Sequence, residues 1–257
     1  MKKNKVKITF VHHSCFTIET EEVLFIIDYF KKELPKPPKD KKTIFLVTHG
    51  HEDHFSKEIF NYGNFKQNTY ILSEDLKELQ KEDKIIYLID ETEENKQLQT
   101  KKKLFCSSNI FTMKPDEKFT YHNINFYTFG STDKGVSFLV ELPFMTFFHA
   151  GDLNNWVWPE DSELEREQMK RDFQKEIDKI HTKVDVAFFP VDPRLKENYD
   201  LGVSYLIKKI APDYLFPMHM WNDFEFSKKF KEDFKDSYSQ IFEIKKDGEV
   251  FELEIES

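Results

Sequence analysis

Apolar and polar residues alternate in three short runs at the start of the chain, Val6 to Val11, Cys15 to Glu19 and Val23 to Asp28, with Glu21-Glu22 between the last two. Period-two alternation broken by turn residues predicts a three-stranded meander. A Lys- and Pro-rich stretch from Lys31 to Lys42 then gives way to Thr43-Ile-Phe-Leu-Val47. That run is β-branched, aromatic and almost free of polar positions, so it predicts a strand buried on both faces that ends at His49. Next the pattern predicts a short helix over Phe55 to Tyr62 closed by Gly63, a strand at Thr69 to Leu72, a charged helix over Ser73 to Lys81 and a strand at Lys84 to Leu88. This is a βαβ rhythm. Phe-rich hairpins are expected between residues 104 and 148, with turn signals at Lys114-Pro115-Asp116, His122-Asn123 and Leu142-Pro143.

From Pro159 to Ile180 the spacing of Leu164, Met169, Phe173, Ile177 and Ile180 predicts an amphipathic surface helix. A strand at Val184 to Phe189, a helix over Val203 to Ile210, a strand at Tyr214 to Phe216, a helix over Glu225 to Phe234 and a hairpin at Lys246-Asp247-Gly248 complete the pattern. No linker and no fixed-period repeat interrupts it. The reading is one α/β (α+β) domain over residues 1–257, sheets flanked by helices in two similar halves, with a helical insertion near 159–181.

Composition narrows the partners. The 257 residues are ample for a core without disulfides, and 27 Phe supply much of its volume. A formal net charge of -9 leaves no broad basic face, so nucleic acid is not expected. The N-terminus has no apolar signal region and no run approaches the length of a membrane span, so a cytoplasmic protein without membrane contact is expected. Nothing in the sequence bears on oligomeric state. Cys15 and Cys106 are too few for a disulfide framework and read as small buried hydrophobes. Arg is confined to Arg166, Arg171 and Arg194.

The chemistry is concentrated in Thr48-His49-Gly50-His51-Glu52-Asp53-His54, where three imidazoles and a carboxylate stand in six positions at a strand end. Imidazole nitrogen and carboxylate oxygen are ligands for zinc, and also for iron or manganese. Gly50 would let the backbone place His49 and His51 on one side while Asp53 and His54 point to a neighbouring position.

This segment resembles the H-x-H-x-D-H motif of the metallo-β-lactamase superfamily. Three more segments resemble family elements in the same order: Phe25-Ile-Ile-Asp28, Phe148-His-Ala-Gly-Asp152 and Phe216-Pro-Met-His219. The resemblance implies a four-layer αββα sandwich with the site along one edge. By it, His49 and His51 hold a first metal, Asp53, His54 and His219 a second, Asp152 bridges them, and Asp28 supports the loop. One or two zinc ions are implied, with manganese or iron as alternatives. The family has a further first-site His where this chain has Phe129-Gly-Ser-Thr-Asp-Lys-Gly135. Either the first site lacks one ligand, or Asp133, Ser131 or Thr132 substitutes, or His149 swings in.

His12 and His13 precede Ser14-Cys15-Phe16, which resembles a Gly-His-Ser segment of distant family members; His13 is either packed at a strand end or part of the pocket. Trp156, Trp158 and Trp221 follow the metal motifs and are either core or pocket wall. Arg194 either meets an anionic substrate group or pairs with Asp192 or Glu197. His122 and His181 read as solvated surface. The resemblance implies a hydrolase that uses a metal-bound hydroxide on a small-molecule ester, lactone or phosphoester, with Asp53 orienting the nucleophile or shuttling its proton. The alternatives are a phosphodiesterase or nuclease of the same fold and a degenerate metal- or ligand-binding protein without turnover.

Overall fold

The computed structural model describes residues 3–80 and 109–256. The expected N-terminal meander forms as β1 (Lys3–His12), β2 (Cys15–Glu19) and β3 (Val23–Ile27), paired antiparallel. β4 (Lys42–Val47), β5 (Asn68–Ser73) and β6 (Ile110–Met113) then add in parallel beyond β3. Successive side chains on these strands point to opposite faces. Phe25, Ile27, Ile44, Leu46 and Ile71 accordingly join the main core, while Leu24, Ile26, Phe45, Val47, Tyr70 and Leu72 build a separate core on the outer face. Burial on both faces is the physical reason the strands read as unbroken apolar runs.

The second sheet repeats the plan. β7 (Lys118–Tyr121), β8 (Ile124–Phe129), β9 (Ser137–Leu142) and β10 (Met145–His149) pair antiparallel, and β11 (Val186–Pro190), β12 (Tyr214–Met218) and β13 (Gln240–Ile241) add in parallel. With β14 (Glu249–Glu256) on the free edge of β1, each sheet has seven strands among the described residues. Phenylalanines join the two: Phe16 of β2 lies 4.6 Å from Phe188 of β11, and Phe25 of β3 lies 5.2 Å from Phe147 of β10, centroid to centroid. Three helices, α1 (Glu163–Ile177), α2 (Leu201–Ile210) and α3 (Phe224–Asp233), bury Phe173, Ile177, Val203, Leu206 and Phe230 in the same core. α1 is the helix expected near 159–181, and it starts with a Ser162/Glu165 capping box. The architecture is an α/β sandwich.

Several expectations are corrected. The helix expected over 55–62 is a 3-10 segment, Lys57–Asn61, too short to recover the nucleation cost of an α-helix, and the described part of the helix expected over 73–81, Glu74–Gln80, is 3-10 as well. Lys114-Pro115-Asp116 is no hairpin turn; it carries the chain from β6 in one sheet to β7 in the other. Nor is there a terminal hairpin at Lys246-Asp247-Gly248, because β13 and β14 belong to different sheets. β14 instead caps the exposed β1 edge, where Lys3 meets Glu254 at 2.7 Å. The strand expected at Lys84 to Leu88 and Cys106 lie outside the described residues, while Cys15 is buried as expected. Among the described residues no helix is long and apolar enough to cross a membrane.

One consequence of this topology positions everything that follows. β3, β4, β10, β11 and β12 are neighbours in parallel runs, and their C-terminal ends carry Asp28, His49, Asp152, Asp192 and His219. Open α/β sheets gather their ligands at such ends.

Candidate metal centre

Four non-glycine residues on this edge have a left-handed backbone: His13 (φ 56°), Asp28 (φ 49°), His219 (φ 66°) and Trp221 (φ 55°). L-residues avoid that region, so its recurrence here marks backbone held by its surroundings. Two side-chain groups result, His13 with Asp53, His54 and His219, and His49 with His51, Asp133 and Asp152. Within each, ligand atoms lie within 4.8 Å of one another. Asp152 joins them: its Oδ1 is 3.0 Å from His54 Nε2 and 3.5 Å from His219 Nε2, and its Oδ2 is 3.5 Å from His49 Nε2. The His13 and His54 side chains are wholly buried, whereas those of His51 and Asp133 are each 44% exposed.

The hydrogen bonds assign the ring tautomers. Thr48 Oγ1 donates to Asp28 Oδ2 at 2.7 Å, so it accepts from His49 Nδ1 at 3.1 Å. His54 Nδ1 donates to the same Asp28 oxygen at 2.9 Å, and His219 Nδ1 donates to Asp192 Oδ2 at 2.7 Å. Each of these rings turns its Nε2 toward Asp152. His49 Nε2, His54 Nε2, both nitrogens of His13 and Asp152 Oδ1 are buried without a hydrogen-bond partner among the described residues. Buried polar atoms are seldom left so, and a divalent cation suits this donor set of imidazole nitrogen and carboxylate oxygen.

Charge is arranged to match. Burial pushes the Asp152 carboxyl up, but His54, His219 and His49 outweigh it and hold the group far below its ordinary value. The same contest, with His54 and His149 as the main counterweights, holds Asp28 low. Asp53 is held low chiefly by His13, 3.5 Å away. Burial lowers His13 to about 4 and also lowers His49, so both rings are neutral. His54 is raised: burial opposes its charge, but Asp152 and Asp28 on either side win.

Among the three candidate substitutes, only Asp133 reaches the first group, with Oδ2 3.4 Å from His51 Nδ1. Thr132 Oγ1 donates to Asn154 O at 2.6 Å, and Ser131 Oγ accepts from Asp133 N at 3.2 Å. His149 stays out: Nε2 donates to Ser14 O at 2.9 Å and Nδ1 accepts from Gly151 N at 3.2 Å. It braces the β1–β2 turn from behind. His13 sits in the second group, whereas His12 points away to Asp247 at 2.8 Å. His122 and His181 are exposed.

Gly50 has no left-handed backbone, and a Cβ there would meet only the flexible tip of the half-buried Leu76, Cδ2 at 2.9 Å. Gly135 needs both space and conformation, with φ 73° and a Cβ position 2.0 Å from Thr48 O, which pins the Asp133 loop against the His49 strand. Trp156 is core, with its indole N–H donated to Asp152 O at 2.8 Å, while Trp158 and Trp221 are half-buried. Arg194 pairs with Asp192, not with Glu197. Asp192 itself, fully buried and held down to about 2 by His219 and Arg194 against the upward push of burial, was not singled out in the sequence. Its signal was there: Phe188-Phe-Pro-Val-Asp192 ends a buried strand in a carboxylate, as Phe25-Ile-Ile-Asp28 does.

Residues 7–219 match the family model described as the beta-lactamase superfamily domain. A metal-dependent hydrolase of Desulforamulus reducens is 42% identical over 57 residues, 21% of this chain and 25% of that protein, so the match spans about a quarter of this curated relative. Among solved structures, a metallo hydrolase of the archaeon Ignicoccus hospitalis superposes with a TM-score of 0.59 at 16% identity, covering 98% of this chain and 100% of its own. CmlA, a diiron beta-hydroxylase of Streptomyces venezuelae, superposes with a TM-score of 0.57 at 10% identity over 99% of this chain and 55% of its own. At such identities the likeness is one of fold.

Proposed function

The chain belongs to the beta-lactamase superfamily, and from that premise we propose that it is a metal-dependent hydrolase of small esters, lactones or phosphoesters. The observation that carries the reading is the pair of ligand groups sharing Asp152, with their buried nitrogens turned inward and unpartnered. His49, His51, Asp133 and Asp152 would hold one ion, and His13, Asp53, His54 and His219 the other, with Asp152 between them. A bound divalent ion there supplies Lewis acidity and lowers the pKa of water at the reacting centre. The chain's own part is positional. Asp28 and Asp192 fix the rings of His54 and His219 from behind, and Thr48 fixes His49. Asp53, a carboxylate across the neutral range, is suited to accepting a hydrogen bond from a nucleophilic water and to taking up its proton only transiently. Trp156 keeps water from the side of His219 facing the core.

Elemental analysis of protein purified without added metal, followed by ester, lactone and phosphodiester panels, tests this. Bound divalent metal with turnover on at least one panel is expected. Metal without turnover on any panel would leave a metal-binding protein, and protein that takes up no metal from a stoichiometric supply would end the reading.

A further inference from the structure

The wall beside His219 contains more than the metal reading uses. Its ring lies 5.3 Å from Trp156 and 6.2 Å from Trp221, and Trp158 stacks on Trp156 at 6.2 Å with the planes 7° apart. Arg194 spans the gap, its guanidinium carbon 5.6 Å from the Trp158 ring and 5.9 Å from the Trp221 ring. Aromatic faces on both sides and a bidentate grip on Asp192, Nε at 3.0 Å and Nη2 at 2.6 Å, hold the guanidinium in place. That grip uses one edge of a planar fork that has five donors. Nη1 has no partner among the described residues, and the side chain is 51% exposed.

A second donor stands beside it. The Trp221 indole N–H is buried and unpartnered among the described residues. Two unused donors next to aromatic faces, one of them a cation fixed before any ligand arrives, are suited to a planar or tetrahedral oxyanion that carries a flat or apolar part. Pre-fixing also lowers the entropic cost of binding. The charges of Asp53 and Asp152 reach Arg194, so the anchor is within electrostatic range of both ligand groups.

We propose that Arg194 anchors a carboxylate or phosphoryl group of the substrate on its free Nη1 edge while the flat part lies along the half-exposed rims of Trp158 and Trp221, which makes the substrates small anions. The inference rests on the hydrolase reading for calling the ligand a substrate. Its anion site is testable alone. Phenylphosphonate, and benzyl alcohol as the neutral control, are titrated calorimetrically into wild type, R194K and R194Q, each both chelated and metal-loaded, with metal content measured throughout. Phenylphosphonate should bind wild type, weaken about tenfold or more in R194Q and fall between in R194K, while benzyl alcohol is unchanged.

Phenylphosphonate binding that is absent from wild type, or within twofold of wild type in R194Q, overturns the proposal. So does a loss of metal in R194Q that parallels the loss of probe, since Arg194 would then act only through Asp192 and His219. If wild type takes up no metal, the hydrolase reading fails, and the dependence on Arg194 in that metal-free protein still decides the anion site.

Discussion

In the group formed by His13, Asp53, His54 and His219, all three rings are buried and two of them are braced from behind by a carboxylate, Asp28 or Asp192. In the group formed by His49, His51, Asp133 and Asp152, only His49 has such a brace, through Thr48, and His51 and Asp133 stand half in solvent. The donors differ as well: three imidazoles and one carboxylate against two and two. Rings fixed before the ion arrives give up little freedom on binding, whereas exposed ones must be ordered by the ion itself. The buried group should therefore be the tighter of the two, and the exposed one the more tolerant of metals that favour oxygen.

The change with the largest expected effect should erase the distinction. Asp152 faces both groups, so Asp152→Ala should lower the affinity of both and reduce turnover on the order of a thousandfold, read from metal content beside kcat/KM. Retention of two tight ions would show that the groups are independent. Next comes Asp28→Ala. It leaves Thr48 N, Thr48 Oγ1 and His54 Nδ1 without an acceptor in a fully buried place, and denaturant titration of the chelated protein should show a loss of about 3 to 5 kcal/mol.

A smaller effect should separate the groups. Asp192→Asn should weaken the buried group roughly 10- to 100-fold and leave the exposed one as it was, in a two-site metal titration. Asp133→Ala should do the converse: one ion lost, with folding stability changed by no more than about 0.5 kcal/mol because the side chain is exposed.

The smallest effect is a proton. In chelated protein His54 is raised above its ordinary 6.5, so its contribution to stability is complete below about that pH and is lost as pH rises through the higher folded value. Asp152 and Asp28, both held low, work in the other direction: their contribution is present above the ordinary 3.8 and is lost as pH falls. The ion must displace the His54 proton. Titration in buffers of different ionisation enthalpy should thus show a proton released from His54 on filling the buried group near neutral pH. No release on filling that group would contradict the charge assignment.

How much of this was legible follows from what is local. His49 to His54 form one short segment whose residue types can be weighed together, and the strands around them alternate or run apolar as burial requires. Asp133 was one of several candidates because its selection depends on Gly135 fitting against Thr48 O, a contact between the two halves that no local pattern encodes. His13 was ambiguous for a similar reason: it meets His219 only after the two sheets pack, with ring centroids 4.2 Å apart. Asp192 lies before a proline and caps the turn that follows, so its local role concealed the second one. The 3-10 segments were misread because apolar spacing over five to seven residues suits either helix type.

The contact of His13 with His219, whose backbone N–H donates to His13 O at 3.3 Å, has a consequence for how the protein is made. The exposed group is complete in covalent terms once residue 152 has been synthesised, but the buried group has no fourth member until residue 219 leaves the ribosome. During translation the residues of the exposed group are therefore all present first, and the buried group lacks a member for most of the chain's growth. If both groups take metal, loading of the buried one therefore waits for residue 219.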